Sequence, residues 1–229
     1  PILVAALGGA LPALAWLWFW RREDAPHPEP RKLIALAFFA GMMTVAVVIP
    51  IQKFAAGYLI GTTAIFTAWS AIEELMKYLA ARVTVLRRRE DNEPIDPVIY
   101  MVTVALGFAA AENALFLLSP LSGDTVSQAI LTGNLRFIGA TLLHVLSSGV
   151  IGIALGISFY LSRRKKRLYA FFGVILAIAL HASFNFLILN TSDEHLLRTF
   201  AFVWIALIVM LAVLEYVKRI HPRLKRIKR

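Results

Sequence analysis

The chain has 229 residues, of which 59% are apolar and 17% are charged, and its mean hydropathy is +0.71. Soluble globular domains are roughly 45–50% apolar, so this composition excludes an ordinary soluble enzyme and a disordered tail. The absence of cysteine excludes a disulfide scaffold, thiol catalysis and metal sites built on cysteine. The composition therefore predicts a polytopic membrane protein.

Seven stretches are apolar and long enough to cross roughly 30 Å of hydrocarbon, which takes about 20 helical residues. They are predicted at Ile2–Trp20, Leu33–Ile51, Phe54–Ala81, Pro97–Leu118, Leu135–Leu161, Leu168–Asn190 and Leu196–Val217. The connecting segments are short and contain no recognisable soluble module. We therefore expect an all-α transmembrane helix bundle of about seven spans, with residues 1–229 forming a single domain around a motif-bearing core at residues 54–190.

The formal net charge of +10 is distributed unevenly along the chain. Basic residues concentrate in alternate connecting segments, at Arg21–Lys32, Arg82–Arg89 and Arg163–Arg167, and in the tail from Lys218 onwards. Because cytoplasmic loops carry the excess of Lys and Arg, we expect the N-terminus outside and the C-terminus inside. The charge then reflects topology and contact with anionic membrane lipids, and no nucleic-acid partner is expected.

An ionisable side chain inside a membrane span costs at least about 2.5–3.5 kcal/mol to insert, so five glutamates and histidines at membrane depth require an explanation. They are Glu73, Glu74, Glu112, His144 and His181. Four different spans carry them at comparable depths, so we expect them to converge on one water-accessible cavity. A purely structural role is disfavoured for so many ionisable groups together.

Four further polar residues accompany this set. Glu73 and Lys77 are spaced i,i+4, so they share a helix face and can pair at membrane depth. The spacing of His181 and Asn185 is the same, and Asn113 directly follows Glu112. Arg136 precedes His144 by eight residues, about two helical turns. These four are predicted to support the site, whereas Ser148 is expected to bond its own backbone.

The residue types at depth favour hydrolysis by an activated water molecule. With no cysteine and no serine in a nucleophile-elbow sequence, a covalent acyl-enzyme is not expected. Glu73 or Glu74 can draw a proton from water, with Glu112 assisting, and His144 and His181 can stabilise an oxyanion or bind a metal. We favour Glu73 as the base because it shares a face with Lys77.

The need for a metal stays open at this point. Glu73, Glu112, His144 and His181 are candidate zinc ligands, although the chain lacks the His-Glu-x-x-His helix of the usual zinc proteases. Two other classes of protein also place acids and imidazoles at membrane depth. One is a non-catalytic membrane scaffold or substrate-binding protein, and the other is a proton-coupled transporter, which usually shows repeats or interrupted helices.

Short motifs in the predicted spans resemble those of the PrsW family of intramembrane proteases. Glu73–Lys77 reads E-E-x-x-K, Phe108–Asn113 reads F-x-x-x-E-N, and His181–Asn185 reads H-x-x-x-N. Together with Arg136 and His144, they occur in the family's order, one motif to a span. The family is related to the CAAX prenyl endopeptidases and abortive-infection membrane proteins, and more distantly to a non-catalytic subunit of gamma-secretase.

This resemblance implies a helical endopeptidase of a prokaryotic plasma membrane. Its partners would be membrane-anchored protein substrates, anti-sigma factors among them, cut during regulated proteolysis. The resemblance is compatible with a glutamic as well as a zinc-dependent mechanism. It indicates neither the natural cleavage site nor the oligomeric state.

Overall fold

The computed structural model describes residues 2–122, 139–189 and 196–222. These ranges form seven α-helices and no strand, which confirms the all-α prediction. The helices are α1 (Ile2–Glu23), α2 (Arg31–Ala56), α3 (Thr62–Thr84), α4 (Asp96–Ser122), α5 (Thr141–Ile157), α6 (Arg163–Leu189) and α7 (Leu196–Lys218).

Five of the seven helices, namely α1, α2, α4, α6 and α7, are long and apolar enough to cross a membrane. The polar helix α3 carries Glu73, Glu74 and Lys77 in its middle, and α5 is an apolar helix of 17 residues. Five spans are therefore supported by length and composition, while spanning by α3 and α5 stays a prediction.

The third span begins later than its hydrophobicity predicts. α2 continues to Ala56, so Phe54 belongs to α2, and α3 starts only at Thr62. Gly61 directly before it has φ of 91°, a left-handed conformation that glycine adopts without a steric penalty. The turn at residues 57–61 thus divides an apolar run that hydropathy alone reads as continuous.

Two other predicted boundaries also differ from the structure. α6 begins at Arg163 rather than Leu168, so the basic residues ahead of the apolar run are already helical. α5 begins at Thr141, and residues 135–138 of the predicted fifth span lie outside the described residues.

Helix α4 forms the centre of the bundle and packs against α1, α2, α3 and α5. Residues 98–110 of this helix are all buried. A helix that is apolar on every side can lie among other helices or against lipid, and here the neighbouring helices enclose it. α6 packs on α3 and α5, and α7 covers α5.

The backbones of α2 and α4 approach closely at two glycines. A Cβ atom on Gly107 would collide with the carbonyl oxygen of Phe38, and one on Gly41 would collide with that of Val104. Only glycine fits at these positions, so the two helices can cross without a layer of side chains between them.

The ends of the helices that adjoin the basic connecting segments lie together, and we call them the basic end of the bundle. α1, α3, α5 and α7 finish there, whereas α2, α4 and α6 start there. Lys218 at the end of α7 donates to Glu23 at the end of α1, with 2.7 Å between Nζ and Oε2.

The loop between α1 and α2 is tied to the start of α4 by an acidic cluster, which we call the acidic latch (Asp24, Glu29 and Asp96). One carboxylate oxygen from each residue lies within 4.8 Å of those of the other two. The Tyr100 hydroxyl donates to Glu29, and the backbone N–H of Glu29 donates to Asp24 Oδ2 at 3.2 Å. All three carboxylates are buried, so the stability of the latch depends on whether they are charged.

Candidate active site

Glu74 is a fully buried carboxylate that joins three helices. Its Oε1 atom accepts hydrogen bonds from Lys77 Nζ at 2.5 Å and from His181 Nδ1 at 2.7 Å. Its Oε2 atom accepts one from Ser148 Oγ at 2.8 Å. Both oxygens are satisfied by α3, α5 and α6, so this glutamate fixes other side chains in place.

Lys77 is fully buried between the Glu74 carboxylate and the His144 ring. Its Nζ lies 3.1 Å from His144 Nδ1 in addition to its bond with Glu74. The expected pairing of Lys77 with Glu73 is therefore wrong. The lysine instead pairs across the i,i+3 spacing, because Glu74 is where α5 and α6 also direct their polar groups.

The hydrogen bonds of the two histidines fix which ring nitrogen carries the proton. The Lys77 ammonium is a donor only, so His144 accepts through Nδ1 and donates through Nε2 to Glu112 Oε2, 3.0 Å away. His181 donates through Nδ1 to Glu74. In the neutral ring this leaves the lone pair on Nε2, the nitrogen that faces Glu73 in the cavity.

Glu73 sits beside Glu74 in the chain but has different surroundings. Its Oε1 atom accepts a 2.8 Å hydrogen bond from Gln52 Nε2 on α2, and Trp69 Nε1 donates to the Gln52 carbonyl oxygen at 3.3 Å. Its buried Oε2 atom has no hydrogen-bond partner in the described part of the chain. This oxygen lies 3.6 Å from His181 Nε2 and 4.0 Å from His144 Nδ1.

These groups open onto a cavity of about 800 Å³, which we call the site cavity. Four of the five residues expected to converge lie on its wall, namely Glu73, Glu112, His144 and His181, whereas Glu74 does not line it. Glu112 is the most accessible of the four, with 20% of its side chain exposed. The remaining wall is mainly apolar, and its aromatic members are Phe66, Trp69, Phe108, Phe116 and Phe184.

The predicted supporting residues take different places. Asn185 lines the site cavity and donates to Ser70 Oγ at 3.2 Å, which anchors it to α3. Asn113 is buried and donates to Thr141 Oγ1 at 2.9 Å, joining α4 to α5. Arg136 lies outside the described residues.

Two residues near Glu73 and Glu74 were not predicted to have a role in the site. Ser148 bonds to Glu74 rather than to its own backbone, and its i,i+4 spacing from His144 was the available signal. Gln52 holds one oxygen of Glu73, but it follows the predicted end of the second span and reads as a loop residue. Its contact joins residues 21 positions apart, which local spacing does not reveal.

Three of these residues suit a metal ion. Glu73, His144 and His181 each offer one ligand atom, all within 4.8 Å of one another. A tetrahedral zinc site with bonds of about 2.0–2.1 Å separates its ligand atoms by about 3.4 Å, close to the Glu73–His181 distance of 3.6 Å. Glu74 on the far nitrogen of His181 is the usual support for a metal-binding imidazole. The donor set therefore fits zinc, with Lys77 released from His144.

The comparison with known protein families bears on the family that the motifs suggested. The family model described as "PrsW family intramembrane metalloprotease" matches residues 29–214, which include Gln52 and every described residue of the site. The chain belongs to the PrsW family. It is accordingly an integral membrane protein of an intramembrane protease family.

Curated relatives in the PrsW family cover most of the chain. Protease PrsW of Geobacillus kaustophilus (strain HTA426) is 27% identical over 184 residues, which is 79% of this chain and 78% of the relative. Protease PrsW of Bacillus subtilis (strain 168) is 24% identical over 201 residues, with 86% and 88% covered. Protease PrsW of Clostridioides difficile (strain 630) is 26% identical over 186 residues, with 78% and 76% covered. No solved structure matches the chain.

Proposed function

We propose that the protein hydrolyses a peptide bond of a membrane-anchored protein substrate, using a water molecule activated by Glu73. The observation that carries this proposal is the buried Oε2 atom of Glu73, which lacks a partner in the described part of the chain and faces the lone pair of His181 Nε2. Two acceptors 3.6 Å apart suit a molecule that donates hydrogen, as water does.

Glu73 is oriented for this role by its other oxygen. Gln52 donates to Oε1, which turns Oε2 toward the site cavity and the two imidazoles. A water bound at Oε2 gives its proton to the carboxylate as the oxygen attacks the substrate carbonyl carbon. The protonated Glu73 then supplies that proton to the departing amine, so the residue returns to its starting state.

Groups that can stabilise the negative charge on the carbonyl oxygen also line the site cavity. Asn185 uses one amide hydrogen on Ser70 and has a second for a substrate oxygen. The expected oxyanion role of His181 requires a proton on Nε2, since its Nδ1 proton is committed to Glu74. His181 therefore begins as an acceptor and becomes a donor only after taking up a proton.

Zinc is the cofactor that these residues would take, and Glu73, His144 and His181 would hold it. When bound, zinc polarises a carbonyl oxygen and lowers the pKa of a coordinated water. The Glu74 carboxylate accepts the Nδ1 proton of His181, which leaves Nε2 as the nitrogen that would bind the ion. Glu112 holds His144 from the opposite side and is the carboxylate nearest to solvent.

The size and lining of the site cavity support a peptide substrate. A volume of about 800 Å³ lies within the range of about 300–1,000 Å³ of pockets that enclose a small ligand, and it is enough for a few extended residues. Its aromatic wall suits the apolar side chains of a transmembrane segment. The resemblance of the motifs adds regulated proteolysis of an anti-sigma factor as the physiological setting.

Purified protein in liposomes with a model single-span substrate tests the proposal. Cleavage is expected in the wild type and in Glu215→Gln, an exposed control, but not in His181→Ala. Treatment with a strong chelator then separates the two mechanisms. Loss of cleavage that zinc restores identifies the metal form, whereas cleavage that survives identifies Glu73 acting alone. Equal cleavage by wild type and His181→Ala would contradict the proposal.

A further inference from the structure

A second cavity, of about 820 Å³, lies at the basic end of the bundle, away from the site cavity. We call it the basic groove. It is lined by residues of α3, α4, α5 and α6 and of the loop between α3 and α4. Five basic side chains line it: Arg82, Arg87, Arg163, Lys166 and Arg167.

The positive charges of the basic groove are largely uncompensated. None of its five basic residues lies within 4.0 Å of a carboxylate in the described ranges. Arg82 donates to the Tyr78 hydroxyl at 3.0 Å, and Lys166 lies over the Phe159 ring, 4.8 Å from its centroid. Both are contacts with uncharged groups, so the groove keeps an excess of positive charge.

Asp91 is the acidic residue on the wall of the basic groove. Burial, reinforced by the nearby charge of Asp96 and opposed by that of Lys166, raises the pKa of Asp91 to about 7. Its Oδ1 atom has no hydrogen-bond partner among the described residues. Asp91 thus offsets at most one of the five positive charges.

The side of the basic groove toward the middle of the bundle is apolar. It is formed by Leu75 on α3, Leu155 on α5, and Phe171 and Val174 on α6. Leu75 and Phe171 are 49% and 59% exposed, and the predicted spans place them against the hydrocarbon of a surrounding membrane. Leu75 lies nine residues from the end of α3, about 14 Å along the helix axis.

A cluster of positive charges continuous with an apolar wall has the polarity of a phospholipid. We propose that the basic groove binds one anionic phospholipid, with its phosphate among the arginines and Lys166 and an acyl chain along Leu75 and Phe171. A soluble phosphate compound would use only the charged half. The lipid would touch α3 and α6, the helices that carry Glu73 and His181. Lipid binding in the basic groove does not depend on the proposed mechanism of cleavage.

The spacing of basic residues on α6 provides a matched pair of variants. Arg163, Lys166 and Arg167 are spaced i, i+3 and i+4, share one face and line the groove, whereas Arg164 and Lys165 do not. The groove variant is Arg163→Gln/Lys166→Gln/Arg167→Gln. The control variant is Arg89→Gln/Arg164→Gln/Lys165→Gln, which removes the same charge from exposed positions at the same end.

Native mass spectrometry of the full chain in detergent measures the binding. Phosphatidylglycerol and phosphatidylcholine with identical acyl chains are titrated against wild type and both variants. We expect one retained phosphatidylglycerol with a preference of about tenfold or more over phosphatidylcholine. The groove variant is expected to lose that preference, and the control variant to keep it. Thermal melting without added lipid checks that all three proteins are folded.

Three outcomes would overturn the lipid site. Equal loss in the groove and control variants would mean that the overall charge of this end attracts the lipid. Equal retention of phosphatidylcholine by the wild type would mean that the positive groups select nothing. Displacement of phosphatidylglycerol by an equal concentration of glycerol phosphate would mean that the groove binds a small anion without using its apolar wall.

Discussion

Glu73 and Glu74 are adjacent in the chain, but their carboxylate oxygens have different hydrogen-bond partners. Glu74 has both oxygens occupied by buried donors on three helices. Glu73 has one oxygen held by Gln52 and the other directed at His181 and His144. One carboxylate therefore maintains the arrangement of the helices, and the other is available for chemistry.

Replacing Glu73 with glutamine tests whether cleavage needs its carboxylate, as the base or as a zinc ligand. Glu73→Gln keeps the size of the side chain and its contact with Gln52, but removes the basic oxygen. We expect the rate of cleavage to fall by about 10²–10⁴-fold, the usual contribution of a general base, with the melting temperature nearly unchanged. Cleavage in liposomes and thermal melting measure the two quantities. A rate equal to that of Glu215→Gln would show that Glu73 is not the base.

Removing Glu74 should instead affect stability. Glu74→Ala leaves the Lys77 ammonium buried without a counter-ion and deprives Ser148 and His181 of their acceptor. Breaking a buried ion pair in this way costs about 3–5 kcal/mol. Unfolding in mixed detergent micelles measures the loss. The double variant Glu74→Leu/Lys77→Met should recover part of the lost stability and remain inactive. An unfolding curve of Glu74→Ala identical to that of the wild type would contradict this account.

At the residue scale, the sequence predicts which side chains enter the site better than it predicts their partners. Depth along each helix was enough to bring Glu73, Glu112, His144 and His181 to one cavity. The i,i+4 rule did not identify the partner of Lys77, because Glu74 attracts donors from α5 and α6 as well as from its own helix. The spacing of residues within one helix does not reveal contacts of this kind between helices.

At the scale of the elements, the acidic latch links the loop after α1 to the start of α4. Burial, opposed by the Tyr100 hydrogen bond and reinforced by the charge of Asp96, raises the pKa of Glu29 to about 8 from an ordinary value of 4.5. Burial and the charge of Asp96 raise the pKa of Asp24 to about 6. The folded chain therefore holds protons that the unfolded chain releases.

This proton retention gives stability a definite dependence on pH. Because the pKa of Glu29 is raised on folding, its protonation stabilises the fold below about pH 4.5, and this contribution declines as the pH rises toward 8. The melting temperature of the wild type should fall between pH 5 and pH 8. Glu29→Gln should reduce the fall, whereas Glu90→Gln in an exposed segment should not. Identical pH profiles for wild type and Glu29→Gln would rule out the latch.

The existence of the seven helices and their order in the chain could be predicted from the hydrophobic pattern. Some of the residues at which the helices begin and end could not. A continuous apolar run placed Phe54 at the start of the third span, yet the turn that ends at Gly61 assigns it to α2. The start of α6 was predicted at Leu168, because hydropathy detects the apolar part of a helix. Its first turn is basic and helical, and it forms part of the basic groove.

At the scale of the whole molecule, the basic residues gather at one end of the bundle. The connecting segments that carry them adjoin α1, α3, α5 and α7 at their C-terminal ends. The rule that positive loops remain in the cytoplasm predicts an orientation with the N-terminus outside. The relationship to CAAX prenyl endopeptidases stays a prediction, since the family model that matches the chain describes PrsW proteases.

Labelling of single cysteines tests this orientation, because the chain has no cysteine of its own. Tyr58→Cys lies in the turn between α2 and α3, and Ser162→Cys lies between α5 and α6 at the basic end. An impermeant maleimide applied to intact cells should label Tyr58→Cys and leave Ser162→Cys unmodified until the membrane is permeabilised. The reverse pattern would invert the topology, and labelling of both would show that they share one side.

The different roles of the two adjacent glutamates also bear on how catalysis can be lost during evolution. The set of Glu74, Lys77, Ser148 and His181 holds α3, α5 and α6 together whether or not a substrate is ever cut. With Glu73 as the proposed base, a descendant that abandons proteolysis would be under selection to keep this set and free to replace Glu73. Such a pseudoenzyme would still carry most of the residues of the family's motifs. The first glutamate of the pair would be the informative position when genomes are surveyed for active proteases.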